Sequence, residues 1–294
     1  MENILKAENL TKKYPKFTLG ELDFEIPLGF STAIIGANGA GKTTLIDILC
    51  GVVRKTSGNV TYFGEFTDID DKDLRERIGY CASQNFFPMS WTARDIADSM
   101  SVAYKKFDRR LFSENCAKLD VDSEFIKKPK TISQQSDGNR MRTVLAAVLA
   151  RETDLLVLDE PGSSLDPLMR DRLCGFFRDY LDRGNGKKSL VFSTHNIADM
   201  ENAADYAIFM DRGKIVDMGF VEDLKDKYTV VRGEPNDWGK AAPFMLSHDI
   251  NSTAFDGIAL AKNKRELEKI NAVCERPTLQ QLSVGLLKGA EERR

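Results

Sequence analysis

The sequence predicts an α/β protein in which buried parallel strands alternate with helices, and three observations support this prediction. Ser31 to Ile35 form a short, largely apolar run, typical of a strand that is buried on both faces. A glycine-rich loop follows that run, and Thr44 to Leu49 then carry apolar residues at helical spacing. Leu155 to Leu158 form a second apolar run, which ends in two carboxylates. Because 42% of the 294 residues are hydrophobic, the chain can bury a large core.

The loop between the first buried strand and its helix, Gly36 to Thr44, fits the pattern G-x-x-x-x-G-K-[ST]. Glycines let such a backbone fold around phosphate groups with its N–H groups pointing inward, and the helix N-terminus adds a positive dipole end. Lys42 is expected to reach the β- and γ-phosphates of a nucleotide, and the Thr43 hydroxyl to bind Mg²⁺. A turn that only connects strand and helix is the weaker alternative, because every fixed position of the pattern is present. The predicted nucleotide-binding residues of the loop are Gly36, Asn38, Gly39, Ala40, Gly41, Lys42, Thr43 and Thr44.

Composition narrows the class of protein. The net charge of -3 and the pI near 5.7 weigh against a nucleic-acid-binding protein, so no nucleic-acid partner is expected. Five cysteines without a C-x-x-C pair predict free thiols in a reducing compartment. No signal-peptide pattern is visible, and the most apolar predicted helix, Thr143 to Ala150, is too short to span a bilayer. We therefore predict a cytoplasmic protein that needs a partner for any role at a membrane.

The N-terminal segment predicts two antiparallel strands, Ile4 to Tyr14 and Phe17 to Ile26, with a turn after them at Pro27 to Gly29. Tyr14 ends the first of these strands ahead of the phosphate loop. It could stack on an adenine ring, an interaction worth roughly 1–3 kcal/mol, or it could pack on the sheet. Taken alone, Tyr14 favours the packing interpretation.

An aromatic cluster follows the strand predicted at Ile78 to Ala82. That strand runs out at Gln84, and the residues after it include Phe86, Phe87, Pro88, Met89 and Trp91. A buried corner of the core would explain the cluster. A Pro-containing loop that concentrates aromatic residues is also typical of a surface on which a partner docks. The residues themselves leave both interpretations open.

Two carboxylates and a histidine are predicted to lie at one edge of the sheet. Asp159 and Glu160 stand at the carboxyl end of a predicted parallel strand, where open α/β sheets bind ligands. Asp159 suits a contact to Mg²⁺, direct or through water, and Glu160 suits activation of a water molecule. His195 follows another predicted strand, Ser189 to Phe192, and so falls at the same edge. His248 has no such setting and receives no role.

These pieces, in this order, resemble the nucleotide-binding domain of ABC transporters over about residues 3–222. The resemblance is specific, because six separated motifs agree in order and spacing. It implies a P-loop NTPase (RecA-like) core in residues 1–222, with an antiparallel β subdomain and an α-helical subdomain at about residues 85–151. In family terms, Tyr14 resembles the aromatic residue of the A-loop, and Gly36 to Thr44 resemble the Walker A motif. Gln84 resembles the glutamine of the Q-loop, and Leu155 to Glu160 resemble the Walker B motif. Ser164 to Asp166 resemble the D-loop, and His195 resembles the switch histidine.

The family's signature sequence, usually Leu-Ser-Gly-Gly-Gln, is degenerate in this chain. Ser133 and Ser136 are both candidates by their distance from Walker B, and only Ser136 keeps a glycine two residues later, Gly138. We therefore assign Ser136 and Gly138 to nucleotide binding. Asp137 replaces the first glycine, and a carboxylate is repelled by a triphosphate. Either its side chain points to solvent, or hydrolysis stays slow until a partner aligns the site.

The resemblance implies that two such domains hold two ATP molecules head to tail, each between one chain's Walker A and the other chain's Ser136 segment. Its catalytic residues would be Glu160, which positions or deprotonates the attacking water, together with Gln84 and His195. Its Mg²⁺ ligands would be Thr43, Gln84 and Asp159. The second ATP-binding subunit can be an identical or a different chain. The aromatic cluster coincides with the family's groove for a coupling helix of the transmembrane permease, which favours docking near Phe86 to Trp91.

Residues 223–294 fall outside the core of the resemblance and predict a small C-terminal α/β appendage that aids dimerisation or regulation. Its last part, from Pro277 to Leu282, resembles the closing helix of single-domain exporter ATPases. The leading hypothesis is therefore the ATPase subunit of an ABC exporter, cytoplasmic and peripheral on the inner face of the membrane through its permease. A soluble ABC ATPase acting on ribosomes or DNA is the alternative, weakened because tandem domains and coiled-coil insertions are missing. A small-molecule P-loop kinase would explain neither Ser136 nor Gln84.

Overall fold

The computed structural model describes residues 2–83, 87–122, 127–128, 130–195 and 197–293. Within them the chain forms three β-sheets with helices around them, which confirms the predicted α/β class. The strands are β1 Asn3–Tyr14, β2 Phe17–Pro27, β3 Ser31–Ile35, β4 Ser57–Tyr62, β5 Ile78–Cys81, β6 Leu155–Leu158, β7 Ser189–Thr194, β8 Tyr206–Asp211, β9 Lys214–Phe220, β10 Tyr228–Gly233, β11 Met245–Ile250, β12 Phe255–Leu260 and β13 Val273–Glu275. The helices are α1 Lys42–Leu49, α2 Lys72–Arg77, α3 Ala93–Ala103, α4 Arg109–Lys118, α5 Asp137–Leu149, α6 Pro167–Asp182, α7 Val221–Lys227, α8 Trp238–Ala241, α9 Lys264–Lys269 and α10 Leu279–Glu292. None of the helices in these ranges combines the length and apolar composition that crossing a membrane requires.

The central sheet has six strands in the order β5-β6-β7-β3-β8-β9. Its first five strands are parallel, and β9 joins β8 in antiparallel pairing. Every residue of β3 and β6 is buried, as their largely apolar sequences predict for strands covered on both faces. Because β6, β7 and β3 are parallel neighbours, the loops that follow them leave the same edge of the sheet. That edge gathers the phosphate loop, the two carboxylates and His195.

A second, antiparallel sheet of order β2-β1-β4 packs against α1. Leu5, Leu10 and Ile26 of this sheet share one buried cluster with Leu45 and Ile46 of the helix. Complete burial of a Leu or Ile side chain stabilises the fold by roughly 1.5–3 kcal/mol. The cluster therefore anchors α1, and with it the phosphate loop at the N-terminus of that helix.

Helices α3, α4 and α5 form a layer whose buried residues include Ile96, Phe112 and Leu145. The sequence pattern predicts an amphipathic helix from Arg140 to Arg151, but helix α5 begins three residues earlier, at Asp137. The reason is a side-chain cap, because the Ser136 hydroxyl accepts a hydrogen bond from the Asn139 N–H at 3.3 Å. Ser136 is thus the N-cap of a helix whose first free N–H groups belong to the signature segment.

The C-terminal part of the chain contains a third sheet, antiparallel, of order β11-β12-β10-β13. Helix α10 follows Pro277 as predicted, and a capping box between Thr278 and Gln281 starts it. Its Leu279, Leu282 and Leu286 belong to the same buried cluster as residues of the central sheet. The division of the chain near residue 222 stays a prediction.

The cysteines are free thiols, as their spacing predicts. Burial raises the pKa of Cys81 to about 12, with a further contribution from the charge of Asp159, and burial also raises the pKa of Cys116 to about 12. Both thiols therefore stay protonated at neutral pH and are poor nucleophiles. The chemistry of the nearby site must come from other groups.

Candidate functional site

The phosphate loop joins β3 to α1 and depends on glycine at three positions. Gly39 and Gly41 have φ values of 83° and 102°, in the region that favours glycine. A Cβ at Gly36 would lie 2.4 Å from the Met210 carbonyl oxygen, and one at Gly41 would lie 2.8 Å from the Phe17 ring. Any larger residue at these places would push the loop out of its shape. The pattern of glycines therefore reflects the loop's geometry, as its sequence predicts.

Lys42 lies at the base of this loop, and its side chain is only 6% exposed. Its Nζ donates hydrogen bonds to the Gly36 carbonyl oxygen at 2.8 Å and to the Ala37 carbonyl oxygen at 3.3 Å. It also forms an ion pair with Glu160 Oε1 at 3.3 Å. The loop thus holds a buried cation beside its own N–H groups, the arrangement that binds phosphate.

Asp159 is fully buried at the end of β6 and is held by two hydroxyl groups. Thr43 Oγ1 donates to Asp159 Oδ2 at 2.9 Å, and Ser193 Oγ donates to Asp159 Oδ1 at 2.5 Å. A carboxylate and a threonine hydroxyl are hard oxygen donors of the kind that Mg²⁺ prefers. No group of three or more His, Cys, Asp or Glu side chains in the described ranges could hold a metal. The donor set therefore fits an ion that also takes phosphate or water oxygens, as Mg²⁺ does.

Glu160 follows Asp159 and is aimed by a strained backbone, with φ at 49° in the left-handed region. Its N–H donates to Ser193 Oγ at 2.8 Å, so one serine holds both carboxylate residues. Its Oε2 lies 2.8 Å from His195 Nδ1, while its other oxygen meets Lys42. The two carboxylates, the lysine and the histidine predicted from sequence therefore form one connected group.

A cavity of about 540 Å³ opens above this group. Among the predicted residues, it is lined by Asn38, Gly39, Gly41, Lys42, Thr43, Thr44, Glu160 and His195. Phe17, Ser83 and Ser163 line it as well, and the sequence analysis assigned none of them to the site. A cavity with a phosphate loop at its base and an aromatic ring at its wall suits a nucleoside triphosphate.

Tyr14 does not line this cavity. Its side chain is 40% exposed, and its ring centre lies 6.5 Å from that of Phe17, its direct partner across the hairpin. Lys12 Nζ lies 5.1 Å from the centre of the Tyr14 ring. The aromatic residue beside the phosphate loop is thus Phe17, three positions after the residue that the sequence singles out. Phe17 could have been identified from the sequence, because it lies directly across the tight turn from Tyr14.

The signature segment lies apart from this cavity in the same chain. Gly138 packs closely on the D-loop, since a Cβ there would lie 3.0 Å from the Ser164 carbonyl oxygen. Asp137 and Ser164 line a separate cavity of about 320 Å³. The Asp137 side chain is 86% exposed and lies 2.9 Å from Arg140 Nη1, so it points to solvent. Ser136 and Gly138 do not line the nucleotide cavity of their own chain.

The described part of the aromatic cluster is divided between the core and the surface. Gln84 and Phe86 lie outside the described residues. Phe87 is 7% exposed and stacks on Trp91 with ring centres 6.0 Å apart, and both contact the core of the helical layer. Met89 is 43% exposed. Phe87 therefore belongs to the core, whereas docking of a permease near Phe86 to Trp91, where Pro88, Met89 and Ser90 are exposed, stays a prediction.

A larger cleft of about 1060 Å³ runs from Thr43 and Asp159 between α1, α2 and the end of α3. Asp47 lies on its wall and accepts a hydrogen bond from the Tyr80 hydroxyl at 2.9 Å. Burial raises the pKa of Asp47, and the charge of Asp159 raises it further, while the Tyr80 bond opposes the shift. The inner end of the cleft is thus acidic and adjoins the expected Mg²⁺ ligands.

Comparison with known families and sequences gives consistent matches. The family described as "ABC transporter" matches residues 19–163. An uncharacterized ABC transporter ATP-binding protein, sll0415 of Synechocystis sp., is 30% identical over 210 residues, which cover 70% of this chain and 58% of the relative. The energy-coupling factor transporter ATP-binding protein EcfA2 of Methanospirillum hungatei is 30% identical over 79% of this chain and 59% of its own length. EcfA1 of Staphylococcus aureus is 28% identical over 87% of this chain and 97% of its own length. The chain thus spans less than two thirds of the first two relatives.

Solved structures share the fold. An ATP-binding subunit of an ABC transporter superposes with a TM-score of 0.65 at 20% identity, over 76% of this chain and 92% of its own. CbiO1 from Clostridium perfringens, described as part of the ABC transporter complex cbiONQ, gives 0.62 at 25% identity, over 76% and 91%. The cassette MJ0796, solved as a dimer in a post-hydrolysis state with ADP and Pi, gives 0.63 at 21% identity, over 74% and 98%. The architecture described above is therefore that of ABC ATPase cassettes.

Proposed function

We propose that this chain, whose residues 19–163 match the family described as "ABC transporter", hydrolyses ATP to drive transport through a separate membrane subunit. The observation that carries the proposal is the connected group at the sheet edge. Lys42, Thr43, Asp159, Glu160 and His195 are joined by contacts of 3.3 Å or less beside a cavity of nucleotide size. Phosphoryl transfer needs positioning and charge stabilisation more than covalent chemistry, and these residues supply both.

Each residue of the group has a distinct part in the proposed reaction. Lys42 and the loop N–H groups bind the phosphates, and Thr43 and Asp159 hold Mg²⁺. The ion, when bound, neutralises charge that develops on the phosphoryl oxygens. Glu160 orients the attacking water and accepts its proton, and His195 fixes the carboxylate oxygen that faces away from Lys42. Gln84 keeps its predicted role beside Mg²⁺ as a proposal.

Head-to-tail dimerisation belongs to the same proposal. Ser136 and Gly138 do not line the nucleotide cavity of their own chain, and a solved cassette of the same fold is a dimer. Two cassettes facing each other would bring each signature segment to the other chain's phosphate loop. The second cassette can be a copy of this chain or a different one.

The direction of transport is the finer part of the proposal. The closing Pro277 segment predicts export. The relatives that match over most of their length are energy-coupling factor transporter subunits, and their names do not support export. Uptake and export can be separated by assembling the transporter in vesicles with the cassettes on the outer face, then following ATP-dependent movement of substrate across the membrane.

A permease is proposed to dock at the cleft between α1, α2 and α3. Two exposed valines line its mouth, Val52 with 59% of its surface exposed and Val102 with 89%. Exposed apolar residues at the rim of a large groove are typical of a binding surface for another protein. Ala82 and Ser83, which precede the predicted docking cluster in sequence, also line this cleft, and the cleft offers open surface that the buried Phe87 lacks.

Replacing both Val52 and Val102 with Asp should remove the chain from the membrane fraction of its own host. Charges at an apolar interface core must lose their water without a partner, so assembly should fall by roughly tenfold or more. Co-purification of a tagged chain with an integral membrane protein measures this. The control is Val284→Asp, which changes a valine that is 61% exposed on α10. Recovery of ribosomes or DNA in place of a membrane protein would support the alternative function.

Phe17→Ala should weaken ATP binding more than Tyr14→Ala does. Stacking of a base on an aromatic ring is worth about 1–3 kcal/mol, and the Phe17 ring lies at the cavity wall. Tyr14 acts only through its contact with Phe17, so its loss should cost less. Titration with a fluorescent ATP analogue gives both affinities, and circular dichroism checks that each variant folds. The opposite ranking would restore Tyr14 as the stacking residue.

A further inference from the structure

The degenerate signature segment contains an ion pair between Asp137 and Arg140, and the Arg140 guanidinium also donates to two backbone carbonyl oxygens. Arg140 Nη1 lies 2.9 Å from Asp137 Oδ1. Its Nε donates to the Ile132 carbonyl oxygen at 3.1 Å, and its Nη2 to the Ser133 carbonyl oxygen at 3.4 Å. Three acceptors therefore fix one guanidinium, whose side chain is 24% exposed. The planar fork of arginine suits this arrangement, and a lysine could not reproduce it.

Asp137 occupies the first position of α5, where N–H groups are free to bind an anion. A carboxylate at this place competes with a phosphate for those groups and repels it. The same segment supplies Ser136 and Gly138, which the proposed function brings to the γ-phosphate of ATP on the other chain. An unpaired Asp137 would therefore oppose the contact that holds the dimer together.

We propose that Arg140 is a positioning residue that draws the Asp137 carboxylate toward itself and cancels its charge. The N–H groups of the segment then stay available for the triphosphate held by the opposite chain. The pair is neutral as a whole, as is the glycine that stands at this position in the family's usual signature. This inference rests on the proposed function, because it concerns the contact between the two cassettes.

The pair has little to do with folding. Exposed ion pairs three residues apart on a helix add little to stability, and Ser136 already caps α5. Loss of the Arg140 side chain should lower the thermal unfolding midpoint only modestly, because the Ile132 carbonyl oxygen still accepts from the Gln135 N–H at 3.0 Å and Ser133 is exposed to water. It should also leave ATP binding by a single chain unchanged, because Arg140 does not line the cavity above the phosphate loop.

The test is the ATP concentration that gives half-maximal dimerisation, measured by light scattering in a Glu160→Gln background with Mg²⁺. Arg140→Ala should raise this concentration roughly tenfold or more, since an uncompensated like charge at an interface costs several kcal/mol. Asp137→Gly should lower it. Asp137→Gly combined with Arg140→Ala should match Asp137→Gly alone, and Arg140→Lys should rescue part of the loss by charge.

The matched control is Arg142→Ala. Arg142 lies on the same helix, donates to the Leu119 carbonyl oxygen at 3.2 Å and pairs with Asp120 at 3.6 Å, so it loses similar contacts away from the signature segment. Dimerisation should be unchanged in this variant.

Three outcomes would overturn the inference. The first is that the double variant, Asp137→Gly with Arg140→Ala, needs as high an ATP concentration for dimerisation as Arg140→Ala alone. This result would show that Arg140 acts by shaping the backbone. The second is an Arg140→Ala variant that dimerises like its parent or loses ATP binding as a single chain. The third is the absence of ATP-dependent dimers in both the parent and Asp137→Gly, in which case the proposed function fails and the inference falls with it.

Discussion

Glu160→Gln is expected to lower the rate of ATP hydrolysis by roughly 10²- to 10³-fold while ATP still binds. The amide keeps the size of the side chain and can still meet Lys42 and His195, now 3.3 Å and 2.8 Å from the carboxylate oxygens. It has no negative charge with which to draw a proton from water. Affinity for ATP should hold or rise, because a carboxylate beside the γ-phosphate repels it. Steady-state hydrolysis and ATP titration measure the two effects separately.

A matched change of charge elsewhere separates the catalytic effect from a general one. Glu114→Gln removes a carboxylate that is 48% exposed and pairs only with Arg110 among the contacts described. Its hydrolysis should equal that of the parent. If Glu160→Gln also hydrolysed ATP at the parent's rate, Glu160 would have no part in the chemistry.

The same variant should accumulate an ATP-bound dimer, because ATP that is not hydrolysed gains contacts from the second chain in the associated state and so stabilises that state. Ser136→Gly in this background should weaken the dimer. Glycine is nearly as good as serine at a helix N-cap, so this change removes the hydroxyl without much loss of α5. A dimer that ignored both ATP and Ser136 would contradict the head-to-tail arrangement.

Local patterns predicted most of the fold. The α/β class, the strand, loop and helix around Lys42 and the helix after Pro277 were predicted from local sequence. The start of α5 was missed by three residues, because a single side-chain bond at Ser136 decided it and the apolar pattern did not. The partner strands of the C-terminal sheet depend on contacts between distant residues, which periodicity does not contain.

The site was predictable where residue type and position along the chain carry the chemistry, as at Lys42, Asp159 and Glu160. Ser193 was missed as a functional residue because a serine in a strand has no distinctive pattern, yet it holds both carboxylates. Phe17 reaches the cavity only through the hairpin geometry of β1 and β2. Phe87 was assigned to docking although it is buried, because composition does not tell which side of a ring faces the core.

Lys42→Ala should weaken ATP binding by roughly 10- to 150-fold, the range for losing one hydrogen bond to a charged group at about 1.5–3 kcal/mol. The change also removes the donor shared by the Gly36 and Ala37 carbonyl oxygens, and it leaves the carboxylate of Glu160 in contact with His195. That carboxylate is only 15% exposed, so some loss of thermal stability should accompany the loss of affinity.

The two losses can be separated by adding nucleotide. If Lys42 serves the phosphates, the thermal midpoint of the parent should rise with ATP and Mg²⁺, whereas that of Lys42→Ala should hardly respond. Lys264→Ala removes a lysine that is 51% exposed and pairs with Glu268, and it should respond as the parent does. A purely structural Lys42 would lower the midpoint and leave the response to ATP intact. That result would refute the phosphate-binding role of the loop, on which every other assignment at this edge of the sheet depends.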